Sequence, residues 1–162
     1  GAYVWNYWWG IAESGWTREN SPSYNTPTYK GFPRIEDSSH GHLEVDFACL
    51  SAEVGMIFEE KEVKRFVATL LHKVVDRDRW TVNNHVDGTG GRGLHDAIIG
   101  GWCGLAIWEP EVARVIARVA EKQKLAERQT GAAMWTMARL VKWGTQLGPT
   151  SRATSWPLSR PN

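Results

Sequence analysis

Histidine, asparagine and carboxylate side chains crowd two short stretches of this chain. The first runs Glu36-Asp-Ser-Ser-His-Gly-His42 and on to Glu44; the second runs Asn83-Asn-His-Val-Asp87, with His95 and Asp96 a few residues later. An imidazole with its ordinary pKa near 6.5 exchanges protons at neutral pH, which suits His40, His85 or His95 to acid–base work. Titratable groups converging on one hollow are what an active site requires. The plainer reading makes the same groups helix caps and loop hydrogen bonds, and other chemistries stay open beside it. Glu36 or Asp37 with Asp87 would serve a glycoside hydrolase, whose carboxylates stand ~5–5.5 Å apart for retention and ~6.5–9.5 Å apart for inversion. His40, His42 and His85 with a carboxylate would suit zinc, but His-x-His spacing turns two rings to different sides of a helix. No metal and no cofactor is therefore expected.

Tryptophan is the compositional outlier, with ten residues against four Tyr and four Phe. Its flat apolar face suits the C–H face of a sugar, and its one N–H suits a hydroxyl. Trp5, Trp8, Trp9, Trp16 and Trp80 fall in non-helical segments expected to reach the histidine-bearing surface. Trp102, Trp108, Trp135 and Trp143 fall on helices and are expected in the core.

Helices must position these residues, and they repeat. Residues 1–37 read as an irregular, aromatic-rich N-terminal arm, 38–148 as a helical-hairpin domain and 149–162 as a tail. Asp37, Ser38 and Ser39 are natural N-caps for a first helix. From Leu43 to Ile57 apolar residues wrap nearly the whole circumference, the mark of a buried helix. Val63, Phe66, Val67, Leu70, Leu71 and Val74 then keep one apolar face opposite a charged one, as an outer helix does. The alternation recurs: Gly93–Trp108 is nearly uncharged with Gly100, Gly101 and Gly104 in it, and a second amphipathic helix follows Pro110 with Val112, Val115, Ile116 and Val119 inward. A third buried segment spans Ala132–Trp143. Both early buried segments carry histidine at the mouth and a cysteine two turns in, Cys49 and Cys103. The expected fold is all-α: repeated helical hairpins forming a partial or incomplete (α/α) toroid. Parallel inner helices would then gather His40, His42, His85 and His95 on one rim, where Gly88, Gly90, Gly91 and Gly93 give the loop its freedom.

The stretch Glu36-Asp-Ser-Ser-His-Gly-His-Leu-Glu-Val-Asp-Phe47, with Trp80-Thr-Val-Asn-Asn-His-Val-Asp87, resembles the catalytic region of alginate-lyase-like (α/α) toroid polysaccharide lyases and related secreted toroid proteins. The resemblance implies a lyase that cleaves a uronate-containing polysaccharide by β-elimination. It makes Asn84 the group that binds the uronate carboxylate, His85 the acid/base partner and His40 a further candidate base. Arg92 would add a donor. Trp8, Trp9, Trp80 and Glu36 would line the substrate. These lyases supply a catalytic tyrosine from a later helix, and here none follows Tyr29, which leaves Tyr7, provided the arm folds back. A closed ring also needs more hairpins than this chain offers, which leaves a fragment, a half-ring completed by a second chain or copy, or a relative that has lost catalysis. The implied partner is an acidic polysaccharide and the implied location secreted or periplasmic, any signal sequence being already removed.

Charge and cysteine narrow the alternatives. Nineteen Lys+Arg balance 18 Asp+Glu, a net charge of +1, which removes the electrostatic argument for nucleic acid or anionic membrane as partners. No apolar run reaches the ~20 residues of a membrane helix. Two cysteines make no disulfide scaffold, though a bridge between neighbouring inner helices stays open. The rival from outside enzymology is a non-catalytic helical module that binds glycan or self-assembles through its aromatic arm.

Overall fold

The clearest periodicities make the outer helices. In the computed structural model, which describes residues 1–20 and 28–146, helix α3 spans Glu60–Thr69 and α4 spans Glu111–Lys122. Glu59 and Glu62 form a reciprocal capping box that satisfies free amides at the start of α3. Pro110 caps the start of α4 with φ −58°, already in the helical range. Each helix buries one face: Val63, Phe66 and Val67 from α3, Val112, Val115, Ile116 and Val119 from α4. A short helix α1, Ile11–Ser14, lies in the arm.

Three segments form the inner group: α2 (Gly41–Glu53), a 3-10 helix at Asp96–Ile107, and α5 (Gly131–Gln146). The 3-10 helix lies at the centre and packs against α2, α4 and α5. From Ile99 to Ala106 every one of its residues is buried. Its twelve residues are unusual, because i→i+3 bonding rarely lasts beyond 3–4 residues. Side chains of α5 supply bonds that help sustain it. Thr136 Oγ1 accepts from the Gly100 amide at 3.0 Å and donates to the Ala97 carbonyl at 2.7 Å, while Arg139 donates to the Gly100 and Gly101 carbonyls. Glycine is required for this proximity: a Cβ on Gly100 would stand 2.5 Å from the Thr136 Cα.

A π-helical turn, Leu70–Val74, ends α3 and leads into a two-stranded antiparallel ribbon, β1 (Val75–Asp76) with β2 (Thr81–Val82). Leu70, Val82, Ile99, Trp102, Leu105 and Ile116 make the core between the layers. Trp5 carries the arm onto that core, its ring 5.4 Å from Phe66 and 6.4 Å from Trp102.

The chain is thus mostly helical, with one two-stranded ribbon among the described residues. Two elements differ from expectation. The buried segment expected at 93–108 starts at Asp96 and is 3-10 rather than α. The segment 43–57 stops being helical at Glu53 and is not buried all round: Leu43, Phe47, Leu50 and Val54 are 57–68% exposed. The tail expected at 149–162 lies outside the described residues. Cys49 and Cys103 are both free thiols, pushed up to about 12 by burial. No helix among the described residues is long and apolar enough to cross a membrane.

Candidate acid–base site at the start of helix α2

Three lengths of backbone lie side by side just before α2. The Tyr7 amide donates to Arg34 and the Glu36 amide donates to the Trp5 carbonyl. On the other flank the Ser38 amide donates to Asn84 and the Val86 amide to Glu36, with Asp37 and His85 as bridge partners. The arm therefore does fold back, and residues 34–38 run between it and the Asn84-His85 loop.

Asp37 is the hub. Its Oδ1 accepts from the Ser39 amide at 3.0 Å, the Ser39 hydroxyl at 2.6 Å and the His40 amide at 2.9 Å, the work of an N-cap. Its Oδ2 faces His40 Nδ1 at 2.7 Å, with Arg34 at 3.7 Å. Burial alone would raise this carboxyl, but the hydrogen bonds from Ser39 and His40 hold it well below the usual carboxylate range. The same bond from Asp37 raises His40 above 6.5. A carboxylate on Nδ1 fixes that nitrogen as the proton carrier and leaves Nε2 as the basic one. His40 is exposed and Asp37 only 5% so, which makes a buried orienting group beneath an accessible base.

Tyr7 stands edge-on to His40, ring centroids 5.4 Å apart, with the Arg34 guanidinium 5.1 Å above it on the cation–π path. Trp8 meets Tyr7 at 4.6 Å, and Trp9 beyond it is 85% exposed. Glu36 lies beneath, 2% exposed, one oxygen accepting the Asp37 amide at 2.8 Å. Burial, with Glu44 adding to it, pushes its carboxyl up to about 7.

The loop residues sit close by but are engaged differently. Asn84 donates its amide to the Gly90 carbonyl at 2.7 Å and accepts from the Leu94 amide, so it braces the glycine loop. His85 pairs through Nδ1 with the Thr89 hydroxyl at 3.2 Å, its ring lying against Gly90, where a Cβ would come within 2.6 Å. Asp87 accepts from the Thr89 amide and hydroxyl. His95 meets the Ser38 hydroxyl at 3.0 Å, and burial lowers its pKa. Arg92 pairs with Asp76 at 3.2 Å. Trp80 lies against α4, under Arg118 at 5.8 Å, with its carbonyl accepting from Gln123. His42, expected on the rim, instead turns inward, 7% exposed, bonded to the Ser39 carbonyl and 5.3 Å from the Trp135 ring.

Arg34 is the site residue that sequence reasoning missed; nothing in its own surroundings marks it. Asp37 was visible as a cap, and its i, i+3 spacing to His40 was the available signal for a dyad. Glu36, Asp37 and His40 each bring one potential ligand atom within 4.8 Å of the others, the set a metal would use. Asp37 already accepts three hydrogen bonds at Oδ1 and holds His40 Nδ1 at Oδ2, so these two groups are engaged with each other as a carboxylate–imidazole pair. Of the carboxylates considered as a pair, Asp37 is engaged by Ser39 and His40 and Asp87 by Thr89. Two open concavities lie apart from His40: about 590 Å³ beside Ile11, Trp16 and Tyr29, and about 320 Å³ beside Trp5, Phe58 and Phe66. No family model, no curated protein and no solved structure matches the chain.

Proposed function

We propose that this chain is a polysaccharide lyase acting on a uronate-containing polymer by β-elimination, with His40 as its base. The observation that carries the reading is the Asp37–His40 pair at 2.7 Å with Tyr7 set against the imidazole. His40 Nε2 takes the proton from the carbon next to the uronate carboxylate. The electron pair of that C–H bond forms the new carbon–carbon double bond as the glycosidic C–O bond breaks. The departing oxygen receives a proton from the Tyr7 hydroxyl. Arg34, above Tyr7 and 3.7 Å from Asp37, is the cation that would meet the substrate carboxylate. Trp8 and Trp9 extend the surface for sugar rings. The alternation of inner and outer helices supports an incomplete (α/α) toroid as the scaffold, and activity on such polymers fits a secreted or periplasmic location.

Incubation of the protein with polyuronates, read by the ultraviolet absorbance of the unsaturated product, tests this. His40→Ala is expected to reduce turnover by roughly 10²–10⁴-fold, the usual contribution of a positioned base. Retained binding of glycan with no absorbance from the wild type would favour a second reading, a glycan-binding module, to which the exposed Trp9 lends support.

A further inference from the structure

The proposed reaction uses His40 and leaves two neighbouring imidazoles without a task. Both flank the segment that carries Asp37: His85 is the bridge partner of Asp37, and His95 meets the Ser38 hydroxyl. The hydroxyl that each ring meets fixes its form. The Thr89 hydroxyl has one hydrogen, and Asp87 Oδ1 takes it at 2.6 Å. At the 3.2 Å contact with His85 the hydroxyl oxygen can then only accept, so the hydrogen there sits on His85 Nδ1. The Ser38 hydroxyl repeats the pattern. It gives its hydrogen to the Asn83 carbonyl at 2.8 Å, with the Asn84 carbonyl at 3.3 Å, and neither carbonyl has one to return. The 3.0 Å contact is therefore donated by His95 Nδ1, and the Asn84 carbonyl is a further acceptor for that ring.

A neutral imidazole carries a single N–H. With Nδ1 holding it, Nε2 of each ring is a lone pair, as Asp37 also arranges for His40. Burial lowers the pKa of His95, which favours the neutral form. Both rings are only half-buried, and the side-chain nitrogens sealed in without a partner among the described residues are three indoles, so these lone pairs reach solvent. The His85 ring is also seated firmly, because it lies against Gly90. A lone pair held in this way takes a hydrogen from a sugar hydroxyl. It meets only another lone pair on an ester, ether or sulfate oxygen.

We infer that His85 and His95 form a hydroxyl-accepting subsite beside His40, which selects sugar rings with free hydroxyl groups over rings on which those groups are blocked. The inference rests on the polysaccharide reading and supplies what its other residues lack. Arg34 offers donors alone, and an indole offers a flat face and one N–H.

Two measurements at about pH 8, above the ordinary imidazole pKa, test the subsite. Nitrogen NMR of protein labelled with 15N-histidine should find the hydrogen of both rings on Nδ1. Titration calorimetry on the His40→Ala variant, which lacks the proposed base, should compare an oligouronate with the same oligomer O-methylated. The free-hydroxyl form should bind about tenfold tighter or more, the scale of two ordinary hydrogen bonds. Adding His85→Ala or His95→Ala should weaken the free-hydroxyl form severalfold and leave the methylated form unchanged; His85 belongs to a loop, so its variant keeps the fold. A hydrogen on Nε2 of either ring overturns the subsite. Equal binding of the two oligomers, or binding of neither, also overturns it, as does selectivity that survives both histidine substitutions. The lyase reading fails separately: a wild type that binds selectively yet yields no unsaturated product removes β-elimination and leaves the subsite in place.

Discussion

Burial beside Glu44 pushes the Glu36 carboxyl up to about 7, while hydrogen bonds hold its neighbour Asp37 below the carboxylate range. The two shifts act on stability in opposite pH windows. Glu36 binds its proton more tightly folded than unfolded, so its contribution is full below pH 4.5 and is lost as pH rises through about 7. Glu36→Gln stays neutral throughout and keeps an oxygen for the Asp37 amide. Its melting temperature should equal that of the wild type near pH 4 and exceed it by pH 8, the difference amounting to about 3 kcal/mol at most. A variant less stable than the wild type at pH 8 would show that Glu36 is paired in its charged form. Asp37 behaves the other way, stabilising above pH 3.8 and losing that effect as pH falls below it. Its link to His40 has a kinetic signature. His40 must be neutral to act as base, and Asp37 raises its pKa, so the acid limb of the rate profile should lie above pH 6.5 in the wild type. Asp37→Asn should move that limb downward and slow the reaction, a pair of effects that simple loss of a helix cap would not produce.

Among the elements, the central 3-10 helix depends on what surrounds it. A Cβ at Gly100 would strike the backbone of α5, which cannot yield as a flexible side chain can. Gly100→Ala should therefore destabilise by about 1–3 kcal/mol. Gly144, inside α5, has nothing within 4 Å of its added Cβ. The same substitution there should stabilise by up to about 1 kcal/mol through helix propensity alone. Thermal melts of the two variants should move in opposite directions. The contrast also explains which elements were legible from sequence. Helices α3 and α4 were, because Val63, Phe66 and Val67, or Val112, Val115 and Ile116, keep helical spacing against charged neighbours. The helix type at 96–107 was not, because the Thr136 and Arg139 bonds that support it arrive from a segment some forty residues later. In α2 the all-round apolar pattern asks for burial on every side, and the structure corrects it by covering only one. At the site, the approach of Asp37 to His40 is a local i, i+3 matter and could be read. The approach of Tyr7 and Arg34 depends on backbone pairing between residues 6 and 35, and no periodicity reports that.

For the molecule as a whole, Tyr3 and Trp5 join the arm to the helical layers: the Thr69 hydroxyl donates to the Tyr3 carbonyl at 2.5 Å and the Tyr3 ring meets Phe66 at 4.9 Å, while Trp5 reaches deeper. Its ring reaches Phe66 of α3 and Trp102 of the central helix, and its edge rests on Gly41, where an added Cβ would lie 3.1 Å away. Its carbonyl accepts from the Glu36 amide, and Glu36 adjoins the Asp37–His40 pair. Trp5 thus serves both the packing of the arm and the geometry of the site. The indole N–H is buried without a hydrogen-bond partner, which costs stability that the aromatic packing offsets. Trp5→Ala should lose about 3 kcal/mol, the scale of a large aromatic truncation. It should also reduce turnover at temperatures where the variant stays folded, because Tyr7 and residues 34–38 lose their anchor. Trp5→Phe removes the orphaned N–H while keeping a ring between Phe66 and Trp102. Its stability should stay within about 1.5 kcal/mol of the wild type, the range of well-tolerated apolar exchanges, and its turnover should be retained. Full activity in a folded Trp5→Ala variant would show that the backbone pairing of Tyr7 with Arg34 holds the site without Trp5, and would remove Trp5 from its support while leaving Tyr7 and His40 in place.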